Sequence, residues 1–136
     1  MADVSRILKR WLWNWAPAVA QMAAIFTASS LSVVPSLPGG LTDYTGHFIG
    51  YTLLGALAMR GFARGRWSGV NARSGWQTVV MSSLYGVTDE FHQSFVPGRN
   101  PSVADWCVDT LGACVGVGLV IAAGRFAGRG RADRGI

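Results

Sequence analysis

Charge is what this chain has least of. Only 14% of its 136 residues are charged, against about 25% in a typical soluble domain, and half are hydrophobic. Nothing charged occurs from Trp11 through Thr42. The net charge of +5 would fit nucleic acid if basic residues lined one face, but they bunch between uncharged runs, so no nucleic-acid partner is expected. The length leaves room for one domain, 1–136. Cysteine is scarce as well. Cys107 and Cys114 are seven apart, which sets them roughly 10 Å apart on one helix face at ~1.5 Å per residue, too far for a disulfide. They read as small packing residues. The chain has no internal repeat, no low-complexity core and no nucleotide-binding glycine motif.

What is abundant points to a lipid environment. Eighteen glycines and six tryptophans are residues at home at membrane helix contacts and interfaces. Four uncharged or nearly uncharged stretches, about 15–34, 44–62, 75–96 and 103–124, approach the ~20 residues a spanning helix needs. Arg6, Lys9 and Arg10 precede the first, as in a signal peptide, but its apolar region exceeds the ~7–15 residues of a signal core. The expected fold is an all-α membrane protein, a four-transmembrane-helix bundle. Eleven of the twelve basic residues fall in the N-terminus, the loop after the second span and the tail. All three lie on one side, and the positive-inside rule makes that side, with both termini, cytoplasmic. Only Arg99 falls on the outer side. Five of the seven carboxylates join it there: Asp43, Asp89, Glu90, Asp105 and Asp109.

The connections follow from proline and glycine. "PSLPGGLTD" and "PGRNPS" are turns on the outer side. The first residues of the basic loop "RGFARGRWSGVNARSG" extend the second helix, and the glycine-rich tail "GRFAGRGRADRGI" reads as loose. Gly46 with Gly50, and Gly112 with Gly116, are small pairs at four-residue spacing. They serve close helix packing within the chain or a homo-oligomer through the same faces.

The polar residues then sort onto helix faces. Asp43, His47 and Tyr51 are spaced by four on one face of the second helix. Thr42 or Asp43 suits its N-cap. His47 lies one turn deeper, where an ionisable group in a membrane is a functional candidate. Ser82, Gly86, Asp89 or Glu90, and Gln93 form a stripe on the third helix. If that helix reaches Val96, the two acids lie roughly 10 Å below its end, and His92, three residues on, is placed to pair with Asp89. A buried carboxylate costs several kcal/mol unless paired, protonated or metal-bound. On the fourth helix, Ser102 and Asp105 resemble a capping box, which leaves Asp109, a turn deeper, without a structural role. Arg99 offers a fork of donors for an acid or an anionic head group.

These residues stand in a recognisable order. "DYTGHFIGYTLL" from Asp43 and "GVTDEFHQSFVPGRNPSVADWCVDTLG" from Gly86 resemble the two motifs of the VanZ-like family, named for a teicoplanin-resistance protein. "SSLSVVP" is similar to the serine-containing end of the family's first helix. The resemblance covers about residues 24–118. Two departures stand out: Tyr44 takes the place of the family's usual lysine, and Asp109 that of a frequent asparagine. The resemblance implies a multi-pass protein of the bacterial cytoplasmic (inner) membrane, associated with the cell envelope and glycopeptide resistance, without specifying a reaction. The expectation is a polar pocket on the extracytoplasmic side that binds or processes a membrane lipid or lipid-linked glycan precursor. In it His47, Asp89 and Glu90 are the candidate acid, base or ligand contacts. Asp43, Tyr51, His92, Gln93, Arg99, Asp105 and Asp109 are the candidate binding residues. No cofactor is specified; acids and histidines together leave room for a divalent metal. The alternatives are a proton- or cation-coupled small carrier and a non-catalytic module that binds or shields a lipid.

Overall fold

The structure is a computed structural model and describes residues 2–32 and 43–132. It contains four α-helices and, among the described residues, no strand. Helix α1 is Ala2–Ser29, α2 is Asp43–Phe62, α3 is Ala72–Gln93 and α4 is Val103–Ala132, with a single 3-10 turn, Trp67–Gly69, before α3. The "PSLPGGLTD" turn, except for Asp43, and Thr42 as a cap lie outside the described residues.

Helix α2 is the centre of the arrangement and packs closest on α4. Glycine makes this approach possible. A Cβ at Gly112 would stand 2.7 Å from the Phe48 carbonyl oxygen, and one at Gly116 would overlap the Thr52 carbonyl and stand 2.8 Å from the Ala56 nitrogen. From the other side, a Cβ at Gly55 would stand 2.9 Å from the Ala113 Cα. Gly112 and Gly116 therefore face α2 within the chain. On the α1 side, Ala18 packs with Tyr51, Leu54 and Ala58 of α2, flanked by Trp15, Met22, Ile25, Met81 and Tyr85. Trp15 lies over Gly61 and meets Phe62 edge-on at 4.9 Å between ring centroids.

Local chemistry fixes the helix ends. Helix α2 closes through paired bonds from Gly65 N–H to the Arg60 carbonyl and from Arg64 N–H to the Gly61 carbonyl. This is the pattern of a Schellman cap, with Arg64 (φ 54°) holding the left-handed position. Helix α3 opens on a capping box between Asn71 and Ser74. It ends at Gln93, three residues before the expected end. There the chain tightens, with Ser94 N–H to the Glu90 carbonyl, Phe95 N–H to His92 and Val96 N–H to Gln93. Gly98 then turns with φ 84°. As a result, Asp89 and Glu90 belong to the last turn of α3 rather than lying roughly 10 Å beneath its end.

The tail also departs from expectation. Residues 124–132 continue α4 instead of forming a loose segment; alanine and arginine are strong helix formers, and Gly124 seats against Trp67. Cys107 and Cys114 are free, as their spacing requires, but both are exposed. They point away from α2, so they are not packing residues of the core.

Beside the apolar core the interior holds a polar half, and much of the exterior is apolar. Thr78, Ser82, Asp89, Gln93 and Asp109 are at most 3% exposed. Leu12, Val19 and Phe26 of α1, Ile49 and Leu53 of α2, Trp76, Leu84 and Phe91 of α3, and Leu111 and Leu119 of α4 are exposed. Such apolar surface exceeds what a soluble monomer ordinarily shows. By length and composition, one helix among the described residues is apolar enough to cross a membrane: Val103–Ala127, with mean hydropathy 1.9. The other three carry polar residues that lower their means, including Asn14 and Gln21 in α1, His47 and Arg60 in α2, and Asp89, Glu90 and Gln93 in α3.

Candidate functional site

One turn of each helix supplies the site. His47 stands one turn into α2, Asp89 and Glu90 in the last turn of α3, Asp109 in the second turn of α4, and Ser29 at the end of α1. His47 Nδ1 lies 3.0 Å from Asp109 Oδ1. With the carboxylate ionised and the ring neutral, Nδ1–H donates and Nε2 is left as the basic nitrogen. Both groups are buried, Asp109 completely. Gly86 of α3 makes room for this carboxylate, since a Cβ there would stand 3.2 Å from Asp109 Oδ2. Trp106, one turn earlier on α4, holds the α3–α4 contact by donating from Nε1 to the Ser83 carbonyl at 3.1 Å.

The α3 acids are held by donors from three directions. Ser29 Oγ donates to Asp89 Oδ1 at 2.5 Å. Gln93 Nε2 donates to Asp89 Oδ2 at 3.2 Å and stands 3.4 Å from Glu90 Oε1. The Ser102 N–H donates to Glu90 Oε2 at 2.7 Å. This last bond explains what became of the expected capping box. Ser102 Oγ does cap α4, accepting from Ala104 N–H and Asp105 N–H at 3.0 and 3.3 Å. Its own N–H, which a reciprocal box would give to Asp105, goes to Glu90.

Arg99 closes the rim. Its Nε and Nη2 donate to Gln93 Oε1 at 3.1 and 2.7 Å, fixing which way the Gln93 amide faces and so aiming its NH2 group at the two acids. Arg99 Nη2 is also 3.6 Å from Asp43 Oδ2, with the arginine side chain 7% exposed and the aspartate half exposed. Gly98 brings this turn against the end of α1, where a Cβ would meet the Ser32 carbonyl at 2.9 Å.

His47, Asp89, Glu90 and Asp109 converge: each offers a ligand atom, and all four atoms lie within 4.8 Å of one another. Asp43, Gln93, Arg99 and Asp105 surround them as rim and support. Tyr51 is 1% exposed, and its hydroxyl, like Asp109 Oδ2, is buried without a hydrogen-bond partner. His92 does not join the group. Its ring stacks on Phe26 of α1 at 4.2 Å, and the expected pairing with Asp89 is replaced by the Ser29 and Gln93 bonds. Sequence reasoning missed Ser29 as a site residue, although it begins the "SSLSVVP" stretch. It also missed Tyr85, whose hydroxyl donates to the Met22 carbonyl at 2.7 Å and whose ring lies 6.2 Å from that of Tyr51.

A groove of about 340 Å³ leads into this cluster between α1 and α2. Gln21, Ala24, Ile25, Ala28 and Gly50 form its long apolar part, and Ser29, His47, Asp89 and Arg99 its polar end. Gln21 and Ser29 are two turns apart, about 12 Å along α1 at ~1.5 Å per residue. Gln21 is itself satisfied by the Gly50 carbonyl at 3.0 Å. A second, larger cavity at the other end of the molecule is lined by Arg10, Arg64, Arg66 and Arg73 together with Trp11 and Trp15.

A family model described as VanZ/LLP1 matches residues 5–124, a range that takes in α2 and α3, most of α1 and α4, and every residue of the cluster. No curated protein and no solved structure shows significant similarity to the chain.

Proposed function

The chain belongs to the VanZ/LLP1 family, and from that premise we propose that it is a multi-pass membrane protein that binds an anionic envelope lipid or lipid-linked glycan precursor. In this reading the lipid tail lies along the α1–α2 groove. Its head group meets Arg99, and His47 with Asp109 provides the acid–base pair beside it. The observation that carries the reading is the groove itself, a mostly apolar slot that ends on a buried arginine, a histidine and carboxylates. Its volume sits at the lower end of ordinary ligand sites, about 300–1,000 Å³. A guanidinium has five N–H donors, and Gln93 engages only two, so Arg99 retains donors for a phosphate or carboxylate. Association with glycopeptide resistance would follow from handling such a precursor at the outer face.

All four helices are proposed to cross the bacterial cytoplasmic membrane, with both termini inside. The apolar exteriors of α1, α2 and α3 support this, since Ser29, His47, Ser82, Asp89, Glu90 and Gln93 turn inward. The arginine-lined cavity at the far end suits the positive, cytoplasmic side. Reporter fusions at residues 38 and 100 are expected to read extracytoplasmic, and fusions at 68 and 136 cytoplasmic. A cytoplasmic signal at residue 38 would reverse the orientation and put the cluster on the wrong side for an outer-leaflet head group.

The binding reading is tested by purifying the protein in lipid and identifying retained lipids by mass spectrometry. Wild-type protein is expected to retain one anionic lipid class that Arg99→Ala releases. Retention of bulk phospholipid alone, in unchanged proportions for both proteins, would dismiss the groove as a lipid site.

A further inference from the structure

We propose that His47, Asp89, Glu90 and Asp109 bind a single divalent first-row transition-metal cation, Mn2+ or Zn2+, at the head of the groove. The inference rests on the cluster's geometry and stands apart from the lipid reading. Four potential ligand atoms from three helices lie within 4.8 Å of one another. At metal–ligand distances of about 2.0–2.2 Å, opposite ligands stand at most about 4.4 Å apart. The widest separation in the cluster exceeds that span by a few tenths of an ångström for an octahedral ion such as Mn2+, and by about 1.4 Å for tetrahedral Zn2+, whose ligands stand about 3.4 Å apart.

Two further observations point to a missing ligand. Asp109 is wholly buried, yet its Oδ2 has no hydrogen-bond partner. The Tyr51 hydroxyl, on a side chain lining the same groove as His47 and Asp89, is equally buried and unpartnered. Buried polar atoms of this kind call for a partner, and a carboxylate oxygen is among the most expensive to leave alone. The neighbouring cation does not serve, because Arg99 is turned to Gln93 and Asp43. Three carboxylates thus share one imidazole, and a divalent ion would offset two of their three negative charges.

The surroundings are those of a ligand shell. Ser29, Gln93 and the Ser102 N–H each donate to an Asp89 or Glu90 oxygen, leaving further lone pairs on those oxygens. Hydrogen-bonded carboxylates of this sort orient toward a metal. The imidazole favours Zn2+ over Ca2+ and Mg2+, which take oxygen ligands, and the three carboxylates suit Mn2+. Soft-metal chemistry finds no thiolate here, as both cysteines are exposed on the outer face of α4.

The test uses full-length protein in lipid nanodiscs, stripped with chelator and dialysed against Mn2+ or Zn2+. Bound metal is counted by mass spectrometry, and Mn2+ is followed by its paramagnetic resonance. Wild type and Cys107→Ala are expected to take up one equivalent per chain. His47→Gln and Asp109→Asn should each weaken binding at least ~10-fold, given that even outer-shell changes cost ~10–100-fold. Binding should also raise the unfolding temperature, since the ion prefers the folded state. Folded wild type that takes up no ion overturns the site, as does equal uptake by both variants. If that ion-free protein still retains its lipid, the cation site falls and the lipid reading stands; if the ion binds while no lipid is retained, the reverse holds.

Discussion

Gly116→Leu is expected to remove most folded protein from the membrane fraction, whereas Gly118→Leu, two residues along the same helix, should leave it intact. At Gly116 even a Cβ overlaps the Thr52 carbonyl and stands 2.8 Å from the Ala56 nitrogen. These are backbone atoms of α2 and cannot rotate away. Inserting a side chain into a packed interface ordinarily costs about 1–3 kcal/mol; here α4 must separate from α2 along its length, so about 3 kcal/mol or more is expected. Gly118 has nothing within 4 Å of its would-be Cβ. Replacing it removes a poor helix former, worth a few tenths to about 1 kcal/mol in favour of the variant. Membrane-fraction abundance and unfolding temperature in detergent are the measurements. The alanine pair sharpens the contrast: Gly116→Ala should destabilise and Gly118→Ala should not. Equal behaviour of the two positions would mean that the α2–α4 contact is not held by glycine approach. The cluster would then lose its frame, since His47 and Asp109 sit on these two helices.

Much of this arrangement is legible before any coordinates, because the relevant rules are local. The four-residue spacing of Asp43, His47 and Tyr51 fixes a face whatever that face meets, and glycine pairs announce close helix contacts. What stays hidden is set by tertiary placement. His92 follows Asp89 by three, a spacing that allows pairing. Yet at about 100° per residue, a face centred between Asp89 and Glu90 also holds Gln93 and leaves His92 well to one side. There α1 offers Phe26, and the ring stacks on it. Ser29 carries no local sign of its role; it reaches Asp89 only because α1 ends at that level, sixty residues away in sequence. The early end of α3 is likewise a product of the turn that returns Arg99 to Gln93, which no periodicity records. The extension of α4 to Ala132 is masked by the tail's glycines, although the alanines and arginines between them favour helix.

Glu90→Gln and His47→Gln are each expected to abolish the envelope phenotype while leaving membrane abundance close to wild type. Glutamine at 90 keeps the side chain's length, and its carbonyl oxygen can still accept from the Ser102 N–H that Glu90 now engages at 2.7 Å. It loses the charge and the exchangeable proton. Its amide NH2 would also face that of Gln93, which Arg99 holds in orientation, so a small stability loss accompanies the change. Glutamine at 47 can still donate to Asp109 but supplies no basic nitrogen and no imidazole ligand. A purely structural role predicts a different result. Breaking the buried His47–Asp109 pair by removing one partner costs about 3–5 kcal/mol, and abundance would then fall with activity for His47→Gln. Susceptibility to lipoglycopeptides and envelope stress, read in a deletion strain carrying each variant, separates these outcomes when set beside membrane-fraction abundance. Cys107→Ala, exposed on the opposite side of α4, should match wild type in both assays. Full resistance from Glu90→Gln and His47→Gln at normal abundance would refute the cluster as the working part of the protein and return its buried charges to a role in packing alone.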